Sequence, residues 1–305
     1  MIPLVIGISL LSYAIIVLAP GDPARLLADP EQMTAESYVA MRAQLGLDDP
    51  GPVRYARTMA SLFTGELRSF RTQQRVVDAI GERLPTSLAL GILAIVFGLV
   101  FGTLIGAMQA IRPYSVDDLG TLLSLTGFSL PHFWFALMLV MLFGVRLHWL
   151  PSSGIRPVTS TGWNPLEMAP YLVMPTVVLG TGLLAYVARF VRSSMLEALG
   201  QDYVRTARSK GLAEQAVIIR HVLRNSLLPV ITIAGFLLPL LIGGAVVVEY
   251  VFALPGMGRL AVDSVFARDY PVILTITIFS AIAVILGNLV ADVLYAVADP
   301  RIRFG

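Results

Sequence analysis

The sequence contains no cysteine and only one lysine, Lys210. Without cysteine the chain has no disulfide framework, no thiolate nucleophile and no zinc site built on cysteine ligands. The chain also lacks any Gly-Lys pair followed by serine or threonine, the core of the phosphate-binding loop that many ATPases use. If the function of this chain requires ATP hydrolysis, another polypeptide must therefore carry it out.

Charged residues are scarce as well. They make up 14% of the 305 residues, whereas soluble domains contain roughly 25%. Hydrophobic residues reach 56%, so much of the protein surface is expected to face lipid. The formal net charge of +2 is too small to indicate a nucleic-acid partner.

Long apolar runs dominate the rest of the chain. A transmembrane helix needs about 20 mostly apolar residues, and only helices and closed barrels satisfy every backbone polar group in lipid. The runs predict an all-α integral membrane protein with six transmembrane helices. The predicted spans are Met1–Ala19, Ser87–Ala110, Leu119–Val145, Ala169–Val191, Pro229–Phe252 and Val272–Leu294.

The spans divide the chain into three parts. Residues 1–19 form the first helix, which carries no charge. A signal peptide needs a basic region before a shorter apolar core, so this helix is predicted to be retained. Residues 20–86 form a polar extracytoplasmic region, and residues 87–305 form a five-helix core with a long inner loop at 193–228.

The polar region 20–86 is expected to contain two short helices. Thr34 suits the N-terminal cap of the first helix, and Gly46 suits its end. Pro52 suits the first turn of the second helix, and Gly65 its end.

Orientation follows from the basic residues in short loops, which concentrate on the cytoplasmic side of a membrane. With both termini inside, the inner loops and the C-terminal tail hold ten basic residues and the short outer loops hold four. Both termini are therefore predicted to be cytoplasmic.

The second span carries glycines at every fourth position, Gly98, Gly102 and Gly106. Such a face allows another helix to approach closely. Packing within the chain is favoured over contact with a second subunit.

The inner loop 193–228 carries the strongest functional signal. Its first part suits a short amphipathic helix, on which Tyr203, Ala207 and Lys210 share one face, and Gly211 suits the end of that helix. A second helical run then leads into the fifth span. A short helix lying across the membrane surface can fit a partner's groove and transmit a rigid-body push, whereas the plainer interpretation is an ordinary basic loop.

The stretch Asp202–Leu212, with Arg220-His221 and Leu228-Pro229 after it, resembles the cytoplasmic coupling loop of binding-protein-dependent ABC importer permeases. It is most similar to the B-type subunits of the dipeptide/oligopeptide (and nickel) permease family, in which the usual Glu-Ala-Ala triplet is replaced, here by Arg205-Thr206-Ala207. Other stretches similar to that family are Leu18–Pro23, Leu45–Asp48, Ser129–Trp134, Glu249–Gly258, Arg268–Pro271 and Asp292–Arg303.

The resemblance implies the six-helix type I ABC importer fold in a bacterial or archaeal cytoplasmic membrane. The implied partners are a homologous permease, expected to be a different chain, two cytoplasmic ATPase subunits that use ATP and Mg, and an external solute-binding protein. The chain itself is expected to bind no cofactor or metal and to catalyse no reaction. The residues implied to couple it to the ATPase are Tyr203, Arg205, Ala207, Arg208, Lys210, Gly211 and Leu212.

The solute path is less clearly marked in the sequence. Pro131 predicts a break in the third span, and Phe133 lies beside it as a path candidate. His132 either faces a cavity or lies in the interior with a backbone partner, and the interior placement is favoured. Gly243 and Gly244 suit close helix packing or bending of a gate.

Glu249 lies near the outer end of the fifth span. An acid at such a depth usually faces a cavity or a partner. Contact with solute and anchoring of the neighbouring Pro255–Gly258 loop are equally compatible with its position.

Two other classes of protein fit the sequence less well. A stand-alone secondary transporter often shows inverted repeats and a midplane ion site, and neither is evident. A membrane enzyme is disfavoured because the sequence lacks a His-Glu-x-x-His or Gly-x-Ser-x-Gly motif. Within the importer family, peptides are the favoured substrates, with nickel chelates and oligosaccharides as alternatives.

Overall fold

A computed structural model describes residues 2–18, 21–27, 34–111, 130–157, 159–160, 162–227, 230 and 245–298. Every element in this described part is helical apart from one isolated β-bridge, between Arg68 and Arg75. The chain is therefore an all-α protein, as predicted. In the N-terminal part the helices are α1 (Ile2–Leu18), α2 (Pro23–Leu27), α3 (Ala35–Gln44), α4 (Gly51–Phe63) and α5 (Val76–Ile111).

The remaining helices follow residue 130. The sixth helix runs directly into a π-helical segment, Val140–Arg146, and a second π-helical segment, Val217–Leu223, separates α9 from α10. These helices are α6 (His132–Leu139), α7 (Pro165–Leu199), α8 (Asp202–Ser209), α9 (Glu214–Ala216), α10 (Arg224–Ser226), α11 (Val246–Val251), α12 (Met257–Phe266) and α13 (Tyr270–Ala298).

Three of the described helices are long and apolar enough to cross a membrane: α5, α7 and α13. They contain the predicted spans Ser87–Ala110, Ala169–Val191 and Val272–Leu294. A helix of 36 residues such as α5 is about 54 Å long, which exceeds the ~30 Å hydrocarbon core. Polar turns at one end of α5 therefore extend beyond the predicted span.

The other three predicted spans are described in part. The apolar helix α1 occupies the first of them. In the third, α6 begins at His132, and in the fifth, α11 occupies the C-terminal end. Gly243 and Gly244 lie outside the described residues, and the total of six spans remains a prediction.

The glycine face of α5 packs against α7 of the same chain. A methyl group built on Gly106 would lie 2.3 Å from the carbonyl oxygen of Ala188, and one built on Gly102 would lie 2.8 Å from that of Leu184. Real Cβ atoms do not approach backbone oxygen so closely. Packing within the chain is therefore confirmed for this face.

The short helices of the polar region begin and end as their caps predict. The Thr34 hydroxyl accepts a hydrogen bond from the Ser37 amide at 3.2 Å and caps α3. Pro52 lies in the first turn of α4, where its missing N–H is not needed. Gly46 and Gly65 follow the two helices with φ of +64° and +74°.

The polar region is attached to the N-terminal end of α13 through one buried acid, Asp269. The Asp269 carboxylate accepts a hydrogen bond from the Ser69 hydroxyl and one from the Phe70 amide at 3.0 Å. These bonds join segments about 200 residues apart. A bend beyond α4 is thereby held against the last long helix.

Candidate functional site

The inner loop forms two helical segments joined by a tight turn. Helix α7 ends at Leu199, and after a two-residue link α8 runs from Asp202 to Ser209. Gly211 then adopts a φ of +75°, a left-handed conformation that glycine accepts without a steric penalty. Its amide donates a hydrogen bond to the Arg208 carbonyl at 2.9 Å. The predicted short helix and its glycine stop are therefore present in the structure.

One face of α8 is buried against the rest of the chain. Val204 and Ala207, three residues apart and so on one face, pack into a hydrophobic cluster with α7 and the second π-helical segment. Val191 and Met195 of α7 and Val222 of the π-helical segment belong to the same cluster. Because these side chains are buried and close-packed, α8 is held to α7 as one packed unit.

The predicted coupling residues divide between the two faces of α8. Ala207 is buried and contributes to packing, whereas Tyr203, Arg205 and Lys210 are exposed. Leu212, just beyond the turn, is exposed as well. The outward surface therefore combines an aromatic ring, a leucine and two cationic groups.

Arg208 forms an ion pair across the Gly211 turn. Its guanidinium donates to both carboxylate oxygens of Glu214, with Nη2 to Oε1 at 2.6 Å and Nε to Oε2 at 3.1 Å. The hydrogen bond from Arg208 lowers the pKa of Glu214, and the same bond raises the pKa of Arg208. The pair joins the end of α8 to the start of α9 and reduces the freedom of the turn.

We expect Glu214→Gln to loosen this turn. The neutral amide loses the charged two-point contact with Arg208, so the amides of Lys210 and Gly211 should exchange hydrogen for deuterium faster at neutral pH. Because the pKa of Glu214 is lowered below its ordinary 4.5, the ion pair is complete above that value. It is lost as the pH falls through the lower, folded-state pKa.

A matched control is the neighbouring pair Asp202 and Arg205, whose atoms lie 3.5 Å apart on an exposed surface. Asp202→Asn should leave exchange at the turn unchanged, since exposed pairs contribute little. In the double variant, Arg208→Gln with Glu214→Gln, the turn amides should exchange hydrogen for deuterium no faster than in either single variant. Additive acceleration would contradict a direct pairing.

A break in the third span is predicted at Pro131, directly before α6, and residues 119–129 of that span lie outside the described residues. Pro131 precedes α6 with an extended backbone, φ −59° and ψ 129°, so that α6 starts at His132. His132 and Phe133 are both exposed on the isolated chain, and the His132 Nε2 lies 3.8 Å from a methyl built on Gly182 of α7. The favoured interior placement of His132 is therefore wrong, because the start of α6 projects its first side chains away from the core.

Glu249 lies at the centre of a buried hydrogen-bond network. The acid is completely buried, and its Oε1 accepts a hydrogen bond from the Ser87 hydroxyl of α5 at 2.7 Å. The Ser87 oxygen in turn accepts from the Met257 amide at 2.8 Å, and Glu249 Oε2 accepts from the Arg259 amide at 2.9 Å. Both amides belong to the first turn of α12, whose N–H groups have no helical partner.

The network explains why the residue directly before α12, Gly256, is a glycine. A methyl built on Gly256 would lie 2.2 Å from the Glu249 carboxyl carbon, so only glycine fits over the acid. Glu249 thus anchors the loop and α12 to α5, rather than facing an open cavity of the isolated chain.

We expect Glu249→Ala to destabilise the folded chain by about 3 kcal/mol, because it leaves the buried Ser87 hydroxyl and the Arg259 amide without their acceptor. Thermal unfolding in detergent measures the effect. Glu249→Gln keeps one acceptor oxygen and should lose less stability. Removing the exposed Glu66 should change the stability by less than about 0.5 kcal/mol, and an equal loss in Glu66→Ala would contradict the anchoring role.

The sequence of this chain matches two known protein families. The family described as "binding-protein-dependent transport system inner membrane component" matches residues 94–304, and its N-terminal companion family matches residues 1–91. The chain is a binding-protein-dependent transport permease. The loop that contains α8, the glycine face of α5 and the buried Glu249 all lie within the residues that this match covers.

Curated relatives of the permease are similar over nearly the whole chain. The oligopeptide transport system permease protein AppB of Bacillus subtilis is 43% identical over 308 aligned residues, covering 99% of this chain and 96% of the relative. The dipeptide transport system permease protein DppB of Escherichia coli K12 is 37% identical, with the same coverage.

Solved structures support the permease fold. An inward-facing methionine ABC transporter, MetNI, contains a chain with a TM-score of 0.57 and 18% identity, covering 73% of this permease and 97% of that chain. A chain of an amino acid ABC transporter solved with histidines gives a TM-score of 0.52 at 17% identity, with coverage of 74% and 95%. At these identities the likeness concerns the fold alone.

Two contacts of the permease were not anticipated from its sequence. The Arg208–Glu214 pair spans six positions across a turn, outside the three- and four-residue spacing of helical pairs. Ser87 is separated from Glu249 by 162 residues. An acid within an apolar run signals that some partner exists, but the spacing along the chain does not say which.

Proposed function

We propose that the chain is one of two permease subunits that together enclose the path of an ATP-driven peptide importer in the cytoplasmic membrane. A homologous permease supplies the other half, and an external solute-binding protein delivers the peptide. Two ATPase subunits on the inner side bind ATP and Mg. The names of the relatives from Bacillus subtilis and Escherichia coli, which specify oligopeptide and dipeptide transport, support peptides as the substrate class.

The observation that carries the proposal is the two-sided character of α8. Its buried face packs on α7 through Val204 and Ala207. Its exposed face presents Tyr203 and Arg205, and Leu212 is exposed just beyond the turn. A partner that binds the exposed face of α8 would move α7 together with α8, because close-packed helices shift as rigid bodies. Closure of the ATPase dimer on ATP would in this way change access to the path.

Lys210 and Arg205 give the outer surface a positive charge that suits an acidic rim on the ATPase. Arg208 acts within the chain by holding Glu214, and Gly211 allows the turn between them. The path itself is assigned to the exposed side chains at the start of α6, His132 and Phe133, beside the break predicted at Pro131.

The absence of cysteine makes the docking surface directly testable. Tyr203→Cys and Leu212→Cys each introduce the only thiol of this chain, and both are expected to cross-link to the ATPase subunit in the assembled transporter. Neither thiol should react with a membrane-impermeant reagent added outside intact cells. Glu36→Cys, in the extracytoplasmic region, is the control and should react with that reagent and form no cross-link to the ATPase.

Labelling of Tyr203→Cys from outside would overturn the proposed orientation, and the absence of cross-links with correct labelling would overturn the docking surface.

The substrate is tested separately by uptake of a labelled dipeptide into proteoliposomes that contain the full assembly and its binding protein. Uptake should require ATP and be reduced by unlabelled peptides. Competition by nickel chelates or oligosaccharides, with none by peptides, would contradict the peptide assignment.

A further inference from the structure

Helices α1, α4 and α13 border two neighbouring cavities. The first, called here the interface cavity, has a volume of about 190 Å³ and lies at the C-terminal end of α1 and the N-terminal end of α13. Ile16 and Leu274 form part of its apolar wall, and Tyr13 and Tyr270 contribute aromatic rings. Tyrosines are enriched where a membrane meets water, which favours a position of this cavity near the lipid headgroups.

The interface cavity is bordered by Arg54, whose hydrogen bonds within the described residues go to neutral groups, the Tyr13 hydroxyl and the Leu47 carbonyl. Arg54 of α4 lines it, donates from Nε to the Tyr13 hydroxyl at 2.7 Å and lies 5.8 Å from the centre of the Tyr13 ring. Its next neighbour on the rim, Arg57, is paired with Asp49. In the described part of the chain no carboxylate forms a salt bridge with Arg54. The rim therefore has a charge complementary to an anion.

The second cavity, called here the apolar crevice, has a volume of about 540 Å³ and lies between the same three helices and the start of α5. Its walls are almost wholly hydrocarbon. The few hydroxyls are already satisfied, since Ser9 and Tyr55 bond each other at 2.7 Å and Thr275 donates to the Pro271 carbonyl. The side chains that form most of the wall are Val5, Ile6, Met59, Leu62, Phe63, Ile278, Phe279 and Ile282.

The size and lining of the crevice favour a hydrocarbon occupant. An engineered apolar cavity of roughly 150 Å³ stays dry and binds benzene, and the crevice is more than three times larger. Between two apolar helices of a membrane protein, the hydrocarbon in greatest supply is a lipid acyl chain. Ser9 of the crevice lies one helical turn, about 6 Å, from Tyr13 of the interface cavity.

We propose that the two cavities together bind one phospholipid of the leaflet that meets the C-terminal end of α1. Its phosphate lies at the rim and accepts hydrogen bonds from Arg54, which supplies several N–H donors in a planar array. One acyl chain fills the apolar crevice between α1, α4 and α13. The lipid thereby joins the first helix to the polar region and to the last long helix.

The test measures the phospholipid retained by the full-length chain, purified with its partner subunits in mild detergent, by native mass spectrometry with phosphatidylglycerol as the added lipid. Arg54→Gln removes the cation and should weaken retention of one lipid by about tenfold or more. Ile278→Trp fills the crevice without touching the rim and should displace the same lipid. The second variant keeps the test decisive if Arg54→Gln fails to fold.

Two substitutions serve as matched controls, one for each half of the site. Arg75→Gln alters another exposed arginine, which pairs with Asp78, and Leu286→Trp enlarges an exposed residue of α13 outside both cavities. Both should retain the lipid. Retention at the wild-type level in Ile278→Trp, or displacement of the lipid by millimolar inorganic phosphate alone, would overturn the proposal.

Discussion

Replacement of Gly211 by aspartate should reduce ATP-driven transport by about tenfold or more, while the chain still reaches the membrane. Gly211 has a φ of +75°, and a side chain in this left-handed region costs about 1–2 kcal/mol. The new carboxylate also competes with Glu214 for Arg208 and places negative charge beside the cationic surface that we propose as the docking site. Uptake and ATPase activity of the reconstituted assembly measure the loss.

Gly65 provides a closely matched control for this prediction. Its φ is +74°, and neither it nor Gly211 has another atom within 4 Å of an added methyl group. Gly65→Asp therefore imposes the same backbone strain at a turn of the polar region, without altering the inner loop. Wild-type transport is expected for Gly65→Asp. Equal transport by the two variants would show that the geometry of the Gly211 turn is not needed for coupling.

Replacement of Gly106 by alanine should destabilise the folded permease by about 3 kcal/mol. The added methyl would lie 2.3 Å from the Ala188 carbonyl oxygen, and a backbone atom of α7 cannot move aside as a flexible side chain can. Overpacking of a filled interface typically costs about 1–3 kcal/mol, and sometimes more. Thermal unfolding in detergent, with the yield of folded chain, measures the effect.

The same helix contains the control for this substitution. Gly81 of α5 has no atom within 4 Å of an added methyl group, so Gly81→Ala removes only the conformational freedom of glycine and should stabilise the helix by about 0.5–1 kcal/mol. The changes in stability are therefore expected to have opposite signs, a loss for Gly106→Ala and a gain for Gly81→Ala. Unchanged stability of Gly106→Ala would mean that α5 and α7 are not in close contact along this face.

Features that depend on neighbouring residues could be predicted well. The apolar runs within α5, α7 and α13 are recognisable in the sequence because a membrane helix satisfies its own backbone and needs only length and hydrophobicity. The cap at Thr34 was predictable because it involves groups a few residues apart. The short helix before Gly211 was predictable for the same reason, and its family-like sequence also indicated a coupling role.

The roles of individual side chains within that helix were harder to predict. Helical spacing groups Ala207 with Tyr203 and Lys210, yet Ala207 packs inward with Val204. Spacing specifies which residues share a face, but the position of α7 decides which face is buried. The sequence favours an interior position for His132, yet the side chain is exposed on the isolated chain, because α6 begins there in a direction that the sequence does not specify.

The sequence by itself determined that the chain is a helical membrane permease without its own ATPase motif, since composition, apolar length and local motifs need no knowledge of distant contacts. Only the tertiary structure decided that Glu249 holds the start of α12, that Arg208 pairs with Glu214, and that the α5 glycines meet α7. Each of these contacts depends on how helices are placed in space. That placement results from the packing of many side chains at once, which spacing along one chain does not encode.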